Sequence, residues 1–317
     1  MAFAFVFPGQ GSQSVGMLGA LAAADASIRG TFDEASAVLG FDLWKLVSEG
    51  PEEALNATVR TQPAMLVAGV ATWRMWCARG GALPAVVSGH SLGEFTALVC
   101  AQAMPFGATV DLVRFRGQVM QEAVPAGSGA MAAIIGLDDE AIEAACREAA
   151  REGIVEAANF NSPGQVVIAG EKAAVQRAIE AARARGAKRA VALPVSVPSH
   201  TTLMRGAAER LRERLRSLEV RAPRIRYISA VDASEHEQPD EIRELLVRQL
   251  WNPVRWSDTL RAVSAGAIAQ VIECGPGRVL TGLNRRIERR ANLDFLALED
   301  PASMEAALTA TRGGSHA

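Results

Sequence analysis

Two rhythms of apolar and polar positions divide this chain. Near its start, "AFAFVF" (2–7) is an unbroken apolar run, which predicts a strand buried on both faces. "QPAMLVAGVATWRMWCARG" (62–80) is apolar at helical spacing and ends in glycine, so a helix is expected there. A short strand is expected at "AVVS" (85–88), then a helix from Glu94 through "EFTALVCAQAM". Strand and helix in alternation imply a mostly parallel sheet covered on both faces.

Residues 130–195 follow the second rhythm. "AMAAIIG" reads as a strand, "DDEAIEAACREAAREG" as a helix with an acidic start and a C-terminal glycine, and "IVEAANF" and "GQVVIAG" as two more strands. "EKAAVQRAIEAARARG" predicts a second helix and "KRAVALPVSV" a final strand. The order βαββαβ is the split unit of a ferredoxin-like domain. The expected division is a large α/β part, residues 1–127 and 197–317, interrupted by a small part, 128–196. A basic amphipathic helix (about 203–219), a strand "IRYISAV" and further helices complete the pattern, and the tail "RGGSHA" is expected to be disordered.

Composition narrows the partners. The 317 residues are 49% apolar and 21% charged with a net charge of −2, so no basic field points to nucleic acid. Cys77, Cys100, Cys146 and Cys274 lack metal or disulfide spacing and are expected to be small buried hydrophobes in a reducing compartment. The chain shows no signal-peptide pattern and no apolar run of the roughly 18 residues a membrane span needs, so a cytoplasmic protein without a membrane partner is expected. No long apolar stripe is left over, which favours a monomer.

Gly89-His90-Ser91-Leu92-Gly93 fits G-x-S-x-G between a strand and a helix, the setting of a nucleophile elbow. The reversal is so tight that side chains two residues either side of Ser91 would collide. The helix that follows aims free N–H groups at the same point, Leu92 N–H among them. The alternative is a merely structural turn. There are four histidines. His90 is too close to Ser91 in the turn, His236 lies in an acidic loop, and His316 in the tail, which leaves His200 as the candidate base at the end of a buried strand. The competing role for His200 is to hold the loop at Pro198. Asp111, Asp138 and Asp139 look like helix starts and caps, so a Ser-His pair oriented by a backbone or amide oxygen is expected instead of a full triad.

In the helix expected over 109–124, Arg114 points to solvent, whereas Arg116 shares an apolar stripe with Leu112, Val113, Val119 and Met120. A buried guanidinium needs an anion: either an internal Asp or Glu, or a substrate carboxylate held bidentately.

With these residues in hand, the chain resembles the bacterial malonyl-CoA:acyl carrier protein transacylases. The likeness rests on "FVFPGQGSQSVGM" (5–17), "GHSLGE" (89–94), "RFRGQVMQ" (114–121), "NFNSPGQVVIAG" (159–170), "VSVPSH" (195–200), "RQLWNPVRW" (248–256) and "ECGPGRVLTGL" (273–283). It implies an α/β-hydrolase-like large subdomain, a ferredoxin-like small one, and an active site between them. It implies that Ser91 is malonylated, that His200 is its base, and that Arg116 clamps the malonyl carboxylate. Gln10 and Leu92 would supply the oxyanion N–H groups, and Gln249 would orient His200 through its carbonyl. Asn161 and His90 are expected at the substrate. No metal or cofactor is implied, because the carrier brings its own phosphopantetheine. "FPGQGSQ" lacks the third glycine of a dinucleotide loop, with Ser14 in its place. An acidic acyl carrier protein would dock on a basic rim containing Lys188 and Arg189 or Arg285 and Arg286. Transacylases of polyketide or malonate decarboxylase systems, and a serine esterase that would not need Arg116, are the alternatives.

Overall fold

The computed structural model describes residues 2–195 and 197–312. Its nine strands are, in chain order, β1 (Ala2–Phe7), β2 (Val86–Gly89), β3 (Gly129–Ile135), β4 (Val155–Ser162), β5 (Gln165–Glu171), β6 (Arg189–Ala192), β7 (Arg226–Tyr227), β8 (Ile268–Glu273) and β9 (Asp294–Ala297). They form two sheets, ordered β7-β2-β1-β8-β9 and β4-β5-β3-β6. The first is parallel throughout and the second antiparallel throughout. This is a mixed α/β fold with a parallel sheet and a separate antiparallel one.

The central strand β1 is buried from Phe3 to Phe7. Its phenylalanines pack on the Thr58–Ala78 helix, with the Phe5 and Trp76 rings edge-on at 5.1 Å. Pairing of aromatic edges with ring faces adds roughly 0.5–1.5 kcal/mol to the burial of each such pair. The antiparallel sheet has the strand order of a ferredoxin-like unit. Its Asp139–Ala149 and Lys172–Ala184 helices bury Ile142, Cys146, Val175 and Ile179 against Ala132, Ile134, Val166 and Ile168. The start of the first helix is capped by Asp138, which accepts from the Ala141 N–H at 2.8 Å.

β4 also ties the two sheets together. The Phe160 N–H donates to the Val254 carbonyl and the Val254 N–H to the Ala158 carbonyl, each at 2.9 Å. The antiparallel unit is therefore bonded through its own edge to the chain that follows Gln249.

Several expected elements are corrected. The strand expected over 188–197 stops at Ala192 and is mostly exposed, because Pro194 and Pro198 have no N–H to extend a ladder. His200 is thus in a loop, not at the end of a buried strand. The strand expected over 225–231 shortens to Arg226–Tyr227, since the Ser229 N–H turns to the Ser234 carbonyl at 3.0 Å. The helix expected from residue 109 begins at Phe106, behind Pro105, so Asp111 lies inside it and pairs with Arg114 at 2.6 Å and Arg214 at 2.5 Å. Three cysteines are buried, but Cys77 is exposed at the outer face of its helix. The expectations for His316 and for the tail from residue 313 fall outside the described residues.

Candidate active site

The end of β2 crosses two other backbone segments at very short range. A Cβ on Gly89 would lie 1.9 Å from the Gly93 carbonyl carbon, and one on Gly93 would lie 2.0 Å from the Phe7 carbonyl oxygen. Only glycine fits either position. Between them Ser91 is held at φ 51°, in the left-handed region that a residue with a side chain occupies at a cost of about 1–3 kcal/mol. The Gly93, Glu94 and Phe95 N–H groups bond three residues back, to the carbonyls of His90, Ser91 and Leu92. The loop after β1 packs on this elbow so closely that a Cβ on Gly9 would sit 2.4 Å from the His90 carbonyl oxygen. Neither the Leu92 nor the Gln10 backbone N–H meets an acceptor among the described residues.

His200 is also in the left-handed region, at φ 64°, and is 4% exposed. Its Nδ1 lies 2.7 Å from the Gln249 main-chain oxygen, and its Nε2 lies 2.9 Å from Ser91 Oγ. A carbonyl can only accept, so Nδ1 carries the hydrogen and Nε2 presents its lone pair to the serine hydroxyl. The backbone holds the loop as well, with the His200 N–H on the Leu250 carbonyl at 2.9 Å. Burial first, and then the Arg116 charge, lower the His200 pKa to about 3. The imidazole is neutral at physiological pH.

Arg116 projects from the Phe106–Glu122 helix and is 1% exposed. Its Nη2 donates to Gln249 Oε1 at 2.8 Å and reaches Ser91 Oγ at 3.3 Å. Its Nε has no hydrogen-bond partner, and no carboxylate forms an ion pair with it among the described residues. Burial lowers its pKa to about 10, with Glu94 opposing the shift, so it remains a cation at pH 7. A desolvated cation without an ion-pair partner is costly to keep, and here it lies beside a serine oxygen. What the arrangement can do chemically is attack a carbonyl next to a group that carries negative charge.

His90 turns away from the serine and its Nε2 meets Asn161 Oδ1 of β4 at 2.8 Å. His236 is bracketed by Asp232 at 3.0 Å and Glu241 at 3.4 Å and touches none of the other candidates. Lys188, Arg189, Arg285 and Arg286 are exposed, and none of them forms an ion pair among the described residues.

Residues 4–293 match the family described as the acyl transferase domain. The malonyl CoA-acyl carrier protein transacylase of Escherichia coli (strain K12) is 54% identical over 306 residues, covering 96% of this chain and 98% of that protein. This chain belongs to that family. Two solved structures agree. A malonyl-transacylase in complex with its type II PKS acyl-carrier protein shares 53% identity and a TM-score of 0.96, over 98% of this chain and all of that one (100%). An acyl carrier protein S-malonyltransferase from Vibrio cholerae O1 biovar eltor shares 55% identity and a TM-score of 0.93, over 96% of this chain and 99% of that chain.

Sequence reasoning missed part of the enzyme's buried polar network. Gln249 Nε2 donates to the Ser91 carbonyl at 2.9 Å and to Glu94 Oε1 at 2.8 Å. Glu94 Oε2 in turn accepts from the hydroxyl of Tyr227. Glu94 is 1% exposed, and burial raises its pKa. The available signal was an acidic residue in the otherwise apolar helix "EFTALVC", together with the chain's single tyrosine inside an apolar run.

Proposed function

We propose that this transacylase works by a ping-pong route through a malonyl-Ser91 intermediate. His200 Nε2 takes the Ser91 proton as Oγ attacks the thioester carbon of malonyl-CoA. The Leu92 and Gln10 N–H groups bind the oxyanion, for which their lack of other acceptors leaves them available. Losing one such donor typically costs about 10²–10³ in turnover. The intermediate collapses, the C–S bond breaks, and His200 gives its proton to the departing CoA sulfur. The phosphopantetheine thiol of the carrier then passes its proton to His200 and attacks the ester carbonyl. Ser91 leaves and recovers a proton from His200. Gln249 holds the imidazole through its carbonyl, in the place a triad acid would take.

Arg116 pairs with the free malonyl carboxylate, and Asn161 and His90 line the small-sheet side of the cleft. The large subdomain comprises 1–127 and 197–317 and the small one 128–196. The enzyme needs no metal or cofactor of its own, acts as a monomer in the cytoplasm, and receives an acidic carrier protein on the rim of Lys188, Arg189, Arg285 and Arg286. No described helix is long and apolar enough to cross a membrane.

The observation that carries this reading is the position of Ser91 Oγ, 2.9 Å from a neutral imidazole nitrogen and 3.3 Å from a guanidinium without an ion-pair partner. Intact-mass analysis after exposure to malonyl-CoA tests it. One malonyl group should appear on Ser91 and move to holo-carrier protein when that is added, while acetyl-CoA labels far more slowly. Equal labelling by the two thioesters would remove the carboxylate clamp, and discharge to water would make the protein a thioesterase. The solved complex with a type II PKS carrier favours polyketide service as a second reading. Discharge rates to fatty-acid and polyketide carriers, compared side by side, separate the two.

A further inference from the structure

A clamp that must bind a carboxylate cannot be left to swing, yet a direct internal carboxylate would occupy it. The structure resolves this conflict with an amide. Gln249 uses both hydrogens of its Nε2, one on the Ser91 carbonyl at 2.9 Å and one on Glu94 Oε1 at 2.8 Å. With both hydrogens committed, only Oε1 remains to face the chain's buried guanidinium, and Arg116 Nη2 donates to it at 2.8 Å. Glu94 is itself surrounded by donors: the Tyr227 and Ser229 hydroxyls, the Ala230 N–H and the Gln249 amide. Such a carboxylate is an acceptor on every side, so it dictates which end of the Gln249 amide points inward.

We propose that Glu94 is a positioning residue for malonyl selection, which acts through the Gln249 side chain to aim Arg116 at the substrate carboxylate. The inference rests on the reading of Arg116 as the clamp. It assigns Gln249 two separate tasks, the main-chain oxygen for His200 and the side-chain amide for Arg116. Reach matters more than charge in this arrangement. A negative charge near the malonyl carboxylate repels it, so a pure countercharge at residue 94 would weaken malonyl binding, not favour it.

The test is the ratio of kcat/KM for Ser91 acylation by malonyl-CoA to that by acetyl-CoA, a quantity indifferent to the fraction of folded enzyme. Glu94→Asp keeps the charge but withdraws the oxygens by one methylene, and the ratio should fall about tenfold, the loss of one charge-assisted hydrogen bond. Glu94→Gln keeps an oxygen at the original reach for the Gln249 amide, and the Tyr227 and Ser229 hydroxyls can turn to accept from the new amide. The Ala230 N–H cannot, a cost to folding that the ratio does not read, so the ratio should stay within about threefold. Should the aspartate variant fail to fold, Gln249→Met removes the amide, retains the carbonyl on His200, and should lower the ratio alike. Arg116→Ala, run beside them, should lower the ratio by about 10²-fold or more. If Arg116→Ala leaves the ratio unchanged, the clamp itself is wrong. If it lowers the ratio but Glu94→Asp and Gln249→Met do not, or if Glu94→Gln alone changes it, the positioning role of Glu94 is overturned and the clamp stands.

Discussion

Strands β1 and β2 of the parallel sheet are buried from Phe3 to Phe7 and from Val86 to Gly89, whereas β3 and β4 of the antiparallel sheet mix buried and half-buried positions. The first pattern comes from cover on both faces. The second comes from two helices on one face and a thinner contact, with Met131, Ala158, Val167 and Ala169, on the other. Burial on both sides lets the parallel sheet hold strain at its carboxyl ends. Ser91 at φ 51° is fixed there by backbone crossings that admit no side chain at Gly89 or Gly93. Neither Ser91 nor His200 belongs to the antiparallel unit. It supplies walls and latches: Asn161 meets His90, and Glu156 of β4 accepts from the Thr202 N–H at 2.8 Å and hydroxyl at 2.9 Å, two residues beyond His200. One sheet carries Ser91, and the other holds the loop that brings His200 to it.

The largest effect should come from breaking that meeting. Ser91→Ala and His200→Ala should each lower turnover by about 10⁴-fold or more, and the double variant should fall hardly further, because the two groups act as a unit. Single-turnover malonyl transfer in the three variants measures this. Losses that multiply in the double variant would mean the two residues act separately, and the division of labour between the sheets would lose its basis.

How much of this was legible in the sequence follows from how local each signal is. β1 and the elbow can be read from contiguous residues: an apolar run, then glycines two positions either side of a serine. Arg116 stands out from helical phase alone, since its neighbours on the wheel are Leu112, Val113, Val119 and Met120. The setting of His200 could not be read this way. "VALPVSVPSH" looks like a strand until its two prolines are weighed against the ladder they cannot join, and a left-handed histidine leaves no mark in composition. The Glu94–Gln249 contact joins residues 155 apart in the chain, and no periodicity announces such a pair.

A smaller effect should separate the buried His200 from an ordinary histidine. The folded pKa of His200 is about 3, against 6.5 for a solvated ring. Below pH 6.5 the unfolded chain therefore binds a proton that the folded chain does not, and stability falls as pH falls toward 3. By pH 5 this amounts to about 2 kcal/mol. Urea unfolding at pH 7 and pH 5 should show His200→Gln losing less stability than the parent by about that amount. The same burial keeps Nε2 unprotonated, so the acid limb of Ser91 acylation should lie well below pH 6.5. A limb centred near 6.5 would show a solvated imidazole, and the loop held by Glu156 would then not keep His200 buried.

The smallest effect concerns the rim on which we propose that the carrier docks. Lys188 lies before β6 with its stem across Gly136, and no ion pair neutralises it among the described residues. Arg286 belongs to the Val279–Ile287 helix of the other unit and donates to Gln165 Oε1, at the start of β5, at 2.6 Å. If an acidic carrier spans the seam, Lys188→Glu and Arg286→Glu should each raise its KM by about two- to fivefold at low salt, the scale of an exposed charge pair. The KM for malonyl-CoA should not move. Added salt should erase the difference, because exposed charges are screened over about 10 Å at 0.1 M. A response to Arg286→Glu alone would confine docking to the large unit, though that variant also breaks the bond to Gln165, so Gln165→Ala must be measured beside it. A response at both positions, surviving that control, would give the antiparallel sheet a share in choosing the carrier as well as in holding the base.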